Sequence, residues 1–163
     1  MTGYLNPDKT HGDFINYSGS KHRYAKEIKQ VLPSDTKVKV LDLFAGGGSI
    51  TTALPSNWQV WGNDGEKRLI DIHKDFQDML SVSSVEEVYT YIQEYCHGKV
   101  RDREDVVGFN KLKQEYNTGR NPLDLYALVT SSNSNYMRFN KKKGEFNVQF
   151  GKRTFNDNMK KKF

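Results

Sequence analysis

Leu41-Asp42-Leu43-Phe44-Ala45-Gly46-Gly47-Gly48-Ser49 joins an apolar run to three successive glycines, and the reading of that junction decides the fold. The run itself, residues 38–44 (VKVLDLF), is short, rich in β-branched and apolar side chains, and bounded upstream by Pro33-Ser34-Asp35. It reads as a strand buried on both faces, the kind that populates parallel sheets. Glycines at its carboxyl end let the backbone take positive φ and approach a ligand closely. The crevice beyond the strand ends is where open α/β sheets bind ligands. A second strand is expected over residues 58–63 (WQVWGN), ending at Asp64, sixteen residues past Gly48. A carboxylate there suits ribose hydroxyls and points to a nucleoside-containing cofactor; an ordinary tight turn after a strand is the plainer alternative. The dinucleotide fingerprint G-x-G-x-x-G is not met by Gly46-Gly47-Gly48-Ser49-Ile50-Thr51. Residues 49–54 can make only a short helix before Pro55, a poor N-terminus for a pyrophosphate. A donor with an adenosine and no phosphate, S-adenosylmethionine, fits better.

Outward from this junction the pattern is helical. Tyr24, Ile28 and Val31/Leu32 mark a helix that Pro33 ends, and Leu69, Ile72, Phe76 and Leu80 mark one face of another from about Glu66. Ser84 with Glu87 fits a capping box that opens a helix through Val88, Ile92 and Cys96. A weaker helix is expected over residues 102–116, and one from Pro122 to about Thr130. Lys141-Lys142-Lys143-Gly144 reads as the turn of a hairpin joining residues 136–140 to residues 145–150. Charge is uneven along the chain. Residues 138–163 carry nine Lys or Arg against Glu145 and Asp157, a net of +7, whereas residues 1–137 net −2. A basic end interleaved with Phe139, Phe146, Phe150 and Phe155 points to a polyanion such as nucleic acid; a solvated tail is the alternative. No run approaches the roughly 20 apolar residues of a membrane span, and the first residues carry no secretory pattern. A single cysteine, Cys96, makes no internal disulfide and agrees with a cytoplasmic setting. The four histidines show no metal-ligand spacing with it, so no metal site is expected.

Asn16-Tyr17-Ser18-Gly19-Ser20-Lys21, then the glycine junction, then Asn63-Asp64, then a helical insert, then Asn135-Tyr136-Met137-Arg138-Phe139-Asn140 and Phe150-Gly151-Lys152-Arg153-Thr154 occur in that order. In order and spacing they resemble the Dam-type DNA adenine-N6 methyltransferases of bacteria and their phages, the class with an N-terminal cofactor motif, with the T-even phage enzymes looking nearest. The resemblance implies an α/β fold. A partial Rossmann-like S-adenosylmethionine-dependent methyltransferase sheet would occupy residues 1–69, a helical and β-hairpin target-recognition region residues 70–155, and a basic tail residues 156–163. It implies cofactor contacts from Tyr17, Gly19, Lys21, Phe44, Ala45, Gly46, Gly47, Gly48 and Asp64. It implies double-stranded DNA contacts, at a GATC-type site, from Ser134, Tyr136, Arg138, Asn140, Lys141, Lys142, Lys143, Lys152 and Arg153. Asp42 is expected to order the loop.

The family holds its extruded adenine with an Asp-Pro-Pro-Tyr-type motif. Prolines here stand only at positions 7, 33, 55 and 122, and no two are adjacent. No catalytic residue is therefore assigned, and the C-terminal half of the sheet is expected to be missing. The sequence reads as a truncated bacteriophage-like DNA adenine methylase, inactive alone. The alternatives are a non-catalytic relative acting as inhibitor or decoy toward DNA or a host protein, and a chain whose catalytic half is supplied by a second polypeptide that covers the open sheet edge.

Overall fold

In a computed structural model the described residues are 15–17, 19–33, 38–55, 57–156 and 159. The lead-in over residues 1–13 and nearly all of the basic tail lie outside them. The chain divides into two compact units, one of Met1–Ile70 with Lys161–Phe163 and one of Asp71–Lys160. Each is taken by itself below.

The first unit is a small α/β arrangement. A 3-10 turn, His22–Tyr24, leads into α1 (Ala25–Val31), and the chain leaves the helix just before Pro33. Strands β1 (Lys39–Asp42) and β2 (Gln59–Gly62) then pair in parallel, Lys39 opposite Gln59 and Asp42 opposite Gly62. Between them the expected short helix is a single 3-10 turn, Thr51–Ala53. The expectation of a strand buried on both faces does not hold among the described residues. Leu41 is 58% exposed and its register partner Trp61 is 50% exposed. Parallel strands bury both faces only when layers cover each side, and a sheet of two strands leaves the alternate side chains uncovered.

The second unit is helical and well packed. Helix α2 (Lys67–Val82) enters it, followed by α3 (Val85–Lys99), α4 (Val106–Gly119) and α5 (Pro122–Ser131). The capping box forms as read: Glu87 N–H donates to Ser84 Oγ, and Ser84 N–H donates to Glu87 Oε2. Helix α3 runs through Gly98 and ends at Lys99. Helix α4 begins later than expected because Asp105 is its cap, accepting from Gly108 N at 2.9 Å and from Arg101 N at 3.0 Å. Gly108 is needed there, since a Cβ would fall 2.7 Å from Lys99 O. Arg120, at φ 60°, ends α4, and Asn121 with Pro122 opens α5. Between and beneath the helices lie Phe76, Tyr89, Ile92, Phe109, Leu112, Tyr116, Tyr126 and Phe155, all at most 5% exposed.

The phenylalanines at the basic end belong to this core. Phe146 and Phe155 are buried, Phe109 lies against Phe150 with ring centroids 5.1 Å apart, and Phe139 lies 5.9 Å from Phe146. On the second limb Phe146 and Val148 are buried and alternate with Glu145, Asn147 and Gln149, a strand period with its apolar side inward, while Lys141, Lys142 and Lys143 stand in the turn. The phenylalanines are packing residues and not a row of stacking platforms. Among the described residues no helix is long and apolar enough to cross a membrane.

Candidate functional site

In the first unit the glycine loop closes over the ends of both strands. Gly46 (φ 52°) and Gly48 (φ 86°) take the left-handed conformation that favours glycine. Asp42 Oδ1 accepts from Phe44 N at 3.1 Å, so Asp42 orders the turn. Ala45 N donates to Asn63 O at 2.8 Å, and Asn63 Nδ2 donates to Leu43 O at 3.1 Å, which ties the loop to the end of β2.

Asp64 is the brace of this loop. Its Oδ2 accepts from Gly46 N at 2.9 Å and its Oδ1 from Glu66 N at 2.9 Å. An ionised carboxylate offers about four lone-pair sites, so two remain for a ligand.

Residues far upstream reach the same place. Ile15 N donates to Gly47 O at 3.3 Å, and a Cβ on Gly46 would lie 3.4 Å from Tyr17 Cδ1. The Tyr17 ring thus lies along the loop. Burial, then the charges of Asp64 and Glu66, push its phenol up from its ordinary pKa, so it stays neutral. Gly19 sits at φ 86°, and Lys21 Nζ donates to Gly19 O at 2.6 Å. Phe44 is 87% exposed at the loop tip, while Ala45, Gly47 and Gly48 are buried. The structure thus brings together the Tyr17 ring, the glycine-loop backbone and the Asp64 carboxylate, whereas the Lys21 ammonium contacts Gly19.

In the second unit the hairpin forms as read, but with isolated bridges rather than long strands. Phe139 pairs with Phe146 and Ser132 with Phe150, both antiparallel, and Asn140 N donates to Glu145 O at 2.8 Å. The Asn140 carboxamide orders the turn: its Oδ1 accepts from Lys142 N and Lys143 N at 2.9 and 3.1 Å. That leaves Nδ2 as its outward donor. Lys141, Lys142 and Lys143 are exposed at the tip, and Tyr136 and Arg138 are exposed along the entry limb. Ser134 (φ 56°) and Asn135 (φ 52°) form a strained corner, and Asn135 Oδ1 accepts from Arg153 Nη1 at 3.3 Å. Lys152 (φ 51°) lies 3.8 Å from Glu104, an exposed pair that contributes little.

Sequence reading missed what supports the hairpin. Lys113 Nζ donates to Val148 O at 3.2 Å, Asn117 Oδ1 accepts from Phe146 N at 2.7 Å, and Arg120 Nη1 donates to Gly144 O at 2.7 Å. It also passed over Asn147, whose Oδ1 accepts from Arg138 Nε at 3.1 Å. The signal for Asn147 was available, because a turn at residues 141–144 puts residue 147 opposite residue 138.

A cavity of about 630 Å³ in this unit, lined by Asp75, Asp78, Met79, Glu87, Tyr91 and Leu123 among others, contains none of the expected site residues. Among the described residues no group of three or more His, Cys, Asp or Glu is placed to hold a metal.

Residues 17–162 match the model of the D12 class of N6 adenine-specific DNA methyltransferases. The chain is 31% identical over 148 residues to the modification methylase StsI of Streptococcus sanguinis, and 29% identical over 150 residues to the type II methyltransferase M.FokI of Planomicrobium okeanokoites. These alignments take in 90% and 91% of this chain but 22% of either relative, so the chain spans about a fifth of the length of the curated relatives it matches.

Proposed function

The chain belongs to the D12 class of N6 adenine-specific DNA methyltransferases, and from that membership we propose that it carries the cofactor-binding and target-recognition parts of such an enzyme. The observation that carries the proposal is the loop at Gly46–Gly48 braced by Asp64 at the ends of two parallel strands. S-adenosylmethionine is the ligand in this reading, bound by Tyr17, Lys21, the loop backbone and the two spare acceptor positions of Asp64. The cofactor supplies an electrophilic methyl group on a sulfonium. The protein's residues orient the adenosine and the amino-acid end. Duplex DNA, at a Dam-like GATC-type site, is bound by the outward face of the hairpin with Arg138, Lys141–Lys143 and Arg153.

With no two prolines adjacent in the sequence, the proposal assigns no adenine-holding Asp-Pro-Pro-Tyr segment to these residues and expects no methyl transfer by this chain alone. Half-exposed Leu41, Leu43 and Trp61 support a second reading in which another polypeptide segment lies over the sheet.

Titration with S-adenosylmethionine tests the cofactor site: Asp64→Ala should weaken binding about tenfold to a hundredfold, and an unchanged affinity would remove Asp64 from the site. Transfer of a labelled methyl group to GATC-containing duplex by the purified chain would overturn the expected inactivity.

A further inference from the structure

Two arginines project from the recognition surface, and each is held by a different asparagine through a different nitrogen. Arg138 gives its Nε to Asn147 Oδ1 at 3.1 Å, whereas Arg153 gives Nη1 to Asn135 Oδ1 at 3.3 Å. A guanidinium presents two forks to a planar acceptor, the end-on pair Nη1/Nη2 and the side-on pair Nε/Nη2. Anchoring Nε removes the side-on fork of Arg138 and leaves its end-on pair free. Arg153 is anchored through one hydrogen of Nη1, which leaves its side-on Nε/Nη2 pair intact.

The Arg138–Asn147 link is built into the hairpin. Asn147 N–H donates to Arg138 O at 3.1 Å, so the two residues are cross-strand neighbours joined by main chain and side chain together. Phe139 and Phe146, next to them in sequence, pair with each other, and Phe146 is buried in the core. The two-residue period of the strands then puts Arg138 and Asn147 on the outer face. Asn117 on α4 fixes the limb just before Asn147, through 2.7 Å to Phe146 N. The asparagine therefore stands on a rigid backbone, and it holds an otherwise freely rotating arginine.

We propose that Asn147 is a positioning residue that makes Arg138 the guanine-reading arginine of this surface, by leaving only its end-on fork to meet the O6 and N7 acceptors in the major groove. This rests on the DNA-recognition reading above. A two-stranded ribbon fits the major groove, and a bidentate arginine on O6/N7 is the commonest base-specific contact. Arg153, with its side-on fork, takes a backbone phosphate and carries no base preference.

The test uses the full chain and the duplex that the wild type enriches from a randomised library, compared with the same duplex carrying 7-deazaguanine, which lacks N7. The wild type should prefer the natural duplex about tenfold. Arg138→Ala and Asn147→Ala should both reduce that preference to near unity, while Asn147→Asp, which keeps the acceptor, should retain it despite weaker overall binding. Arg153→Ala should weaken both duplexes equally and lower the slope of binding against salt by about one. If the wild type shows no salt-dependent duplex binding, the DNA reading itself fails. If it binds but Asn147→Ala keeps the full preference at unchanged thermal stability, or if Arg153→Ala abolishes the preference, the positioning role is overturned.

Discussion

The two units bury their apolar residues to very different degrees. In the helical unit, Phe109, Tyr116, Tyr126 and Leu128 are no more than 1% exposed, and even Asp124 and Asp105 lie under 9%. In the sheet unit, Leu41, Leu43, Phe44 and Trp61 all exceed 49% exposure, against a few buried residues such as Ile15, Ala25 and Trp58. Helices satisfy their own backbone groups and can pack by one face at a time. A parallel sheet needs neighbours on both edges and layers on both faces before its strands are protected. The helical unit is thus stable by its own packing, and the sheet unit holds its glycine loop chiefly by hydrogen bonds.

The largest test of this contrast is Phe109→Ala. It removes a ring buried beside Phe150 and should cost the helical unit about 3–5 kcal/mol, seen as a lower denaturant midpoint in the helical signal. Next comes Asp105→Ala, which strips the α4 cap and should cost about 1–2 kcal/mol. The same cap carries a pH signature. Hydrogen bonds from the Arg101 and Gly108 backbones and from the Arg101 side chain hold the Asp105 carboxyl down at about 2, below its ordinary 3.8. Its stabilisation is therefore complete above about pH 4 and is lost as pH falls toward 2. A titration of stability between those values should show a slope that Asp105→Ala removes. The smallest effect is expected at Leu41→Ser, within about 0.5 kcal/mol of the parent. A loss as large as that of Phe109→Ala would show that Leu41 is covered in solution and would break the comparison.

What the sequence made legible follows the same division. The capping box at Ser84, the Pro122 start and the hairpin turn are local chemistry, and they appear where they were read. The glycine loop and its acid were legible because strand, glycines and carboxylate lie within some twenty residues. The burial of β1 was misread because a run such as VKVLDLF records the coverage its side chains want, and the two-stranded sheet does not provide it. The role of the basic-end phenylalanines was misread because their partners, Phe109 and Tyr116, are distant in sequence. Asn117 and Arg120 were invisible for a related reason. They act on main-chain carbonyls and amides, whose positions no side-chain pattern announces.

Lys113 and Asn117 on α4 and Arg120 just past its end follow a spacing of four and three, and their partners, Val148, Phe146 and Gly144, step back by two along the second hairpin limb into the turn. One face of a helix advances about 6 Å in four residues, close to the 6.7 Å that a strand advances in two. The helix therefore works as a ruler laid against the limb, with graduations that match the strand repeat. A ruler of this kind fixes register: sliding the limb by one residue would turn every carbonyl away from its donor at once. A one-residue insertion in α4 between Lys113 and Asn117 would put these donors out of step with the limb and disengage the hairpin while leaving its own sequence untouched.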